Sequence, residues 1–248
     1  MELLEKLPGE NARTYAVRVL LDNIIRLELA PGSAVSENEL SVWMNLSRTP
    51  VREALIELSK LGLVEILPKK GSYITKIDYD LIEESRFMRL TMEVAVLKLV
   101  CEAGLSAPYR RRMEENVRLY RQNMNEGSYS LLMELDNEFH RLIFEAAGKL
   151  RTYDVIRRQM IHFDRLRALS LQTALNSKTL NDHENILYAL EKGDAELAEL
   201  VMTQHLARHR VEREELCERY PDYFTEKAPD SGSASASGKR STKELEEQ

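Results

Sequence analysis

From Asp80 to Glu218 the chain has almost unbroken helical periodicity, with breaks at Gly104, Gly127, Gly148, Asn176-Ser177 and Gly193-Asp194. Apolar residues that recur every three or four positions give each segment one face that must be buried. The pattern predicts helices over 81–103, 107–125, 129–147, 150–174, 181–191 and 195–218. Asp80 and Glu83 stand at capping-box spacing ahead of the first. Long helices joined by short connections pack most readily as an antiparallel bundle.

The residues before Asp80 have a different texture. Val17, Leu20, Leu21, Ile24 and Ile25 mark an amphipathic helix over 12–29, ended by Ala30-Pro31-Gly32-Ser33. Ser36-Glu37-Asn38-Glu39 is a capping box that opens a short helix through Trp43, and Asn45-Leu46 is a tight turn. A third helix is expected from Ser47 to Lys60, with Gly62 as its stop. Leu63–Leu67 and Ser72–Ile77 read as two strands around Pro68-Lys69-Lys70-Gly71. Three helices and a two-stranded wing are winged helix-turn-helix organisation. The expected fold is therefore mainly α, an N-terminal winged helix-turn-helix domain plus a C-terminal antiparallel all-helical bundle. The expected divisions are an N-terminal arm over 1–11, the winged domain over 12–77, an all-helical bundle over 78–222, and a disordered tail over 223–248.

The third helix carries the most specific chemistry. Ser47 stands where an N-cap hydroxyl would accept a bond from an early amide, and Pro50 falls in the first turn, where its missing N–H costs nothing. Val51, Ala54, Leu55 and Leu58 form the apolar face, leaving Arg48, Thr49 and Arg52 to point elsewhere near the helix start. Two arginines one turn apart can enter a major groove together, where Arg bonds guanine O6 and N7. Lys69 and Lys70 on a glycine turn would add phosphate contacts. The competing reading is a solvated helix face with Glu53 and Glu57 as ion-pair partners. Net charge is -6, yet residues 12–77 hold nine Lys/Arg against seven Asp/Glu, while 78–248 hold 25 against 31. A mildly basic head on an acidic body suits a protein that meets DNA with one end.

A second group of residues lies in the helical half. Asp136 and His140, at i and i+4, share a helix face, and His183 and His205 lie on two further helices. A bundle interior can gather such side chains around one ion, although a single buried histidine is more often a satisfied core residue. Three imidazoles and a carboxylate suit zinc, nickel or manganese and leave coordination positions open. His162 and His209 are read as non-ligands. Arg89 and Glu93, also at i and i+4, are either an intrahelical ion pair or a grip for an organic acid. A metal-dependent hydrolase in a helical bundle is the alternative function. Glu138 and Glu184 are available as bases for it but sit in no recognisable motif, and no Gly-rich phosphate loop or reactive-cysteine setting is visible. Cys101 and Cys217 make no disulfide framework, no apolar run reaches membrane-span length, and Met1–Gly9 lacks a signal pattern, so a cytoplasmic location is expected.

Read together, Leu29-Ala30-Pro31-Gly32, Ser36 to Leu40, Ser47 to Leu55, Leu61-Gly62-Leu63-Val64 and Gly71-Ser72-Tyr73 resemble the GntR family of bacterial transcription regulators. The helical body over about 80–222 resembles the effector-binding FCD domain of that family's fatty-acid-regulator-like branch. The resemblance implies a ligand-responsive, homodimeric transcription regulator on double-stranded operator DNA, with repression and activation both open. It places Ser47, Arg48, Thr49 and Arg52 on the DNA and the wing tip Lys69-Lys70-Gly71 in the minor groove. Asn38 stands where one relative carries a DNA-contacting arginine, and Asn can still read adenine. The resemblance also implies a divalent metal on Asp136, His140, His183 and His205, although Lys149 stands where the family usually has Asn. It matches Arg89 and Glu93 to the family's arginine–glutamate pair. The implied effector is a small carboxylate, a sugar acid or metabolic acid, that changes operator affinity.

Overall fold

A computed structural model describes residues 1–124, 129–173 and 177–225. The head runs α1 (Ala12–Ile25), β1 (Ala34–Val35), α2 (Glu37–Trp43), α3 (Arg48–Lys60), β2 (Val64–Leu67) and β3 (Gly71–Ile74). Asn11 caps α1 by accepting from Thr14 N, and Ser36 caps α2 by accepting from Glu39 N. Ser47 holds the N-cap position of α3 in extended backbone, but its hydroxyl makes no cap bond. The side chain is exposed, so the first-turn amides are left to solvent rather than satisfied internally.

α1 stops four residues earlier than its apolar pattern suggests, because Leu27 adopts φ 64° and the chain turns back so that Leu29 N donates to Asn23 O. The wing has three strands in the order β1-β3-β2, both pairings antiparallel, with Ala34 opposite Tyr73 and Ile66 opposite Ser72. The two residues of β1 are too few to show alternation. β3 ends at Ile74 rather than Ile77, since Thr75 turns its carbonyl toward the bundle. Val19, Leu20, Val51, Leu55, Leu58 and Ile74 form the head core. The N-terminal residues lie along α1, pinned by the fully buried Asn23. Its Oδ1 accepts from Glu2 N at 2.7 Å and its Nδ2 donates to Glu2 O at 2.8 Å.

The second half is a bundle of α4 (Tyr79–Ala103), α5 (Ala107–Asn123), α6 (Tyr129–Ala146), α7 (Leu150–Gln159), α8 (Ile161–Thr173), α9 (Ser177–Lys192), α10 (Ala195–Ala207) and α11 (His209–Arg219). The α4 cap is Asp78, which accepts from Asp80 N; Asp80 and Glu83 lie inside the helix and Leu81 stands third, so the capping box expected at Asp80 and Glu83 is replaced by a single cap bond two residues upstream. The single helix expected over 150–174 is two. Ile156 and Met160 belong to the bundle core, whereas Ile161 belongs to the head core, and the break between them lets consecutive side chains serve different clusters. The helix expected over 195–218 is likewise interrupted, at Arg208. α9 opens at Ser177, four residues before its expected start, so His183 lies in its second turn. The predicted break at Gly127 lies outside the described residues.

α8 joins the two halves. His162 Nε2 donates to Leu61 O at 3.0 Å, and the fully buried Arg165 donates to Thr75 O. Residues 223–225, assigned above to the tail, instead pack at this junction. Phe224 stacks on Tyr79 with ring centroids 5.3 Å apart, Ile77 N donates to Tyr223 O, and Thr225 N donates to Ile77 O. The rest of the predicted tail, 226–248, lies outside the described residues.

Candidate metal centre and nucleic-acid interface

α3 exposes its N-terminal end because Val51, Ala54, Leu55 and Leu58 turn the opposite face into the head core. Ser47, Arg48, Thr49 and Arg52 are all exposed, as are Asn38 and the wing residues Lys69, Lys70 and Gly71. The Arg52 side chain is 71% exposed, and its Nε lies 3.9 Å from Glu37 Oε1, a loose contact. Glu57, one of the acids that would tie these arginines down, is engaged by Arg13 at 2.6 Å. Lys69 sits at φ 64° in the wing turn, beside Gly71 at φ 109°, which lifts the tip clear of the sheet.

The four candidate metal ligands converge. Asp136 and His140 come from α6, His183 from α9 and His205 from α10. Each offers a ligand atom within 4.8 Å of the others, and all four are buried. His140 Nε2 and His205 Nε2 are 3.3 Å apart, and His183 Nε2 is 3.4 Å from Asp136 Oδ1. Two nitrogens each about 2.1 Å from a shared ion lie about 3.0–3.4 Å apart, so the spacing fits. The Nδ1 of His183, completely buried, has no hydrogen-bond partner among the described residues. Its ring is held by stacking on Phe139, centroids 4.0 Å apart.

The rings are oriented from behind. Glu93 Oε2 lies 2.5 Å from His140 Nδ1, and Asp182 Oδ2 lies 3.1 Å from His205 Nδ1. A carboxylate on Nδ1 fixes the tautomer and presents Nε2 to the centre, the arrangement that metal-ligating histidines use. Glu93 in turn pairs with Arg89, Asp182 with Arg208, and Asp136 Oδ2 with Arg167. Burial would raise the Glu93 pKa, but Arg89 and His140 overcome it and hold the carboxyl at about 2. Asp136, equally buried, is held well below the usual carboxylate range by Arg167 and His183. Burial, reinforced by Arg89, depresses His140 to about 3, and burial depresses His183 as well. His140 and His183 are therefore neutral at pH 7, the form that ligates a metal.

A cavity of about 70 Å³ opens beside this cluster, lined among others by Arg89, Tyr120, Asp136, Arg167, His205 and Arg208. Arg89 thus faces the same space as the metal ligands, whereas Glu93 stands behind it. The roles of Asp182, Arg167 and Arg208 were not evident from sequence, since each contact crosses between helices. Asp182, next to His183, was the one local hint. Glu138 and Glu184, the candidate bases for hydrolysis, pair with Arg141 and Arg121 and do not line the cavity. His162 serves the head junction instead of the metal cluster, and the side chain of His209 lies outside the described residues.

A three-helix head with a wing, joined to an all-helical domain with a cavity beside a His/Asp cluster, is the architecture of a winged-helix transcription regulator. The chain belongs to the GntR family: the family of bacterial regulatory proteins matches residues 14–74, and the FCD domain matches residues 84–208. It is 32% identical to the uncharacterized HTH-type transcriptional regulator YdfH of Escherichia coli O6:H1, over 90% of this chain and 97% of that one. It is 31% identical to the HTH-type transcriptional repressor RspR of Escherichia coli K12, over 88% of this chain and 96% of that one. The fold is similar to that of E. coli McbR/YncC, with a TM-score of 0.69, 16% identity and coverage of 85% of this chain and 99% of that one. Among the described residues, no helix is long and apolar enough to cross a membrane.

Proposed function

We propose that this regulator is a homodimeric repressor whose helical domain holds a divalent metal and a small carboxylate effector, and that the effector changes operator affinity. The observation that carries this reading is the convergence of Asp136, His140, His183 and His205 beside a cavity that Arg89 also faces. Such a donor set fits zinc, nickel or manganese, held by Asp136 Oδ1 and the three Nε2 atoms. When bound, the ion supplies a positive anchor for a carboxylate oxygen. Arg89, with its guanidinium set by Glu93, would orient that carboxylate. Operator contacts are assigned to Arg48, Thr49 and Arg52 in the major groove, with Ser47 and Asn38 beside them. Lys69, Lys70 and Gly71 are assigned to the minor groove.

α8 supports a route from cavity to DNA. It contributes Phe163, Leu166 and Arg167 to the cavity wall, and Ile161, His162 and Arg165 to the head. An effector alters DNA affinity only insofar as it binds the two states unequally. Dimerisation is assigned to the outer face of α4, where Leu81, Phe87, Met92 and Leu99 are exposed. Two-fold protein symmetry then matches half-site symmetry. The test is metal analysis of the purified chain, followed by titration onto its own promoter DNA with and without organic acids. A metal-free preparation that no added divalent ion stabilises would refute the metal site. Operator affinity unchanged across a broad organic-acid panel would refute the switch.

A further inference from the structure

Resting on the proposed metal and carboxylate site, we infer that the effector is a small dianion, gripped at its second charge by Arg208. The inference comes from charge balance in a largely buried network. Arg89, Arg167, Arg208 and Asp136 line the cavity. Glu93 pairs with Arg89, Asp182 with Arg208, Asp164 with Arg167, and Arg157 with Asp164. Four arginines therefore face four carboxylates, and the protein groups are neutral as a set. Histidines ligate as neutral imidazoles, so a divalent ion adds two positive charges with nothing in the protein to offset them. Uncompensated charge away from water is strongly unfavourable. A monocarboxylate would cancel half of the surplus, whereas a dianion would cancel all of it.

The geometry supplies the second contact. The Nη2 of Arg208 is occupied by Asp182, but its Nη1 is buried and has no partner among the described residues. Arg167 differs: its guanidinium is fully spent on Asp136, Asn137 and Asp164. Arg208 follows His205 by three residues, as the C-cap of α10, and also lines the cavity. A ligand with one anionic oxygen at the ion and Arg89 can present a second to Arg208 Nη1. The cavity volume of about 70 Å³ limits the occupant to a short carbon chain or a single tetrahedral oxyanion.

The test uses the full chain loaded with zinc, its metal content verified first, so that failure of the metal site is seen separately. Calorimetric titration with succinate, butyrate and inorganic phosphate compares two dianions with a monoanion of matched chain length. Succinate or phosphate should bind at least about tenfold more tightly than butyrate, since the second charge gains a charge-assisted bond. The tighter of the two dianions identifies whether the second group is carboxylate or phosphate. Arg208→Gln should bring the preferred dianion down to the level of butyrate, and Arg208→Lys should restore part of the difference. Thermal melts of the zinc-loaded variants verify folding independently. Butyrate binding as well as both dianions, or an unchanged preference in the folded Arg208→Gln variant, would overturn the assignment.

Discussion

His162, at the start of α8, donates from Nε2 to the carbonyl oxygen of Leu61, the residue that ends the recognition helix α3. Burial, reinforced by Arg165, lowers the pKa of His162 from its ordinary 6.5. The ring is therefore neutral when the head is seated on the bundle. It takes up a proton below about pH 6.5 only when it is released, so the seated state loses stability as pH falls from there toward the lowered value. The slope is at most about 1.4 kcal/mol per pH unit for one proton. Melting midpoints measured from pH 7.5 to 5.5 should fall more steeply for the native chain than for His162→Gln, which keeps a donor but cannot titrate.

Arg52→Ala should abolish specific operator binding. A bidentate guanine contact contributes about 1–3 kcal/mol of discrimination, so its loss from both half-sites of the proposed dimer removes about 2–6 kcal/mol, which reaches the gap of about 4–10 kcal/mol between specific and unrelated DNA. The side chain is largely solvent-exposed and supports no core contact, so the melting midpoint should stay within about a degree. Gel-shift titration with specific and scrambled DNA reads both effects. Retention of tight, sequence-specific binding would remove α3 from the interface.

Stripping a metal from the proposed site with a chelator should lower thermal stability, and returning zinc should restore it. At a hundredfold excess of free ion over Kd the stabilisation is about 2.7 kcal/mol, several degrees for a chain of this size. Asp182→Ala should weaken metal affinity by about 10–100-fold without altering the ligand set, because it releases His205 Nδ1 from its carboxylate. Competition with a fluorescent zinc chelator measures the change.

Phe87 is 67% exposed on the outer face of α4. Phe87→Glu should dissociate the proposed dimer, shifting the mass seen by light scattering toward the monomer and lowering affinity for a two-half-site operator more than for a single half-site. An unchanged mass at micromolar concentration would move the dimer contact elsewhere.

Much of this architecture was legible in advance because it is written locally. Ser36 and Glu39, the apolar stripe Val51-Ala54-Leu55-Leu58 and the glycine after α3 act within one helical turn, so their spacing suffices to place α2 and α3. The i, i+4 pairing of Asp136 with His140 is equally local. What escaped was set by packing at a distance. The break after Met160 contains neither glycine nor proline, and it exists because Ile161 is drawn into another core. The Ser47 hydroxyl stands at a cap position yet faces water, an outcome that residue type does not determine. Asp182 and Arg208 entered the site only once α9 and α10 were side by side.

The thirteen-residue α8 has one further consequence, for modular engineering. Grafting a foreign reading head onto this sensor would strand a buried guanidinium at Arg165 unless the incoming wing offered a carbonyl where Thr75 now provides one. Hybrid regulators built on this scaffold should therefore keep residues 61–62 and 74–77 native, so that the exchanged pieces carry α3 and the wing tip while the partners of His162 and Arg165 stay in place.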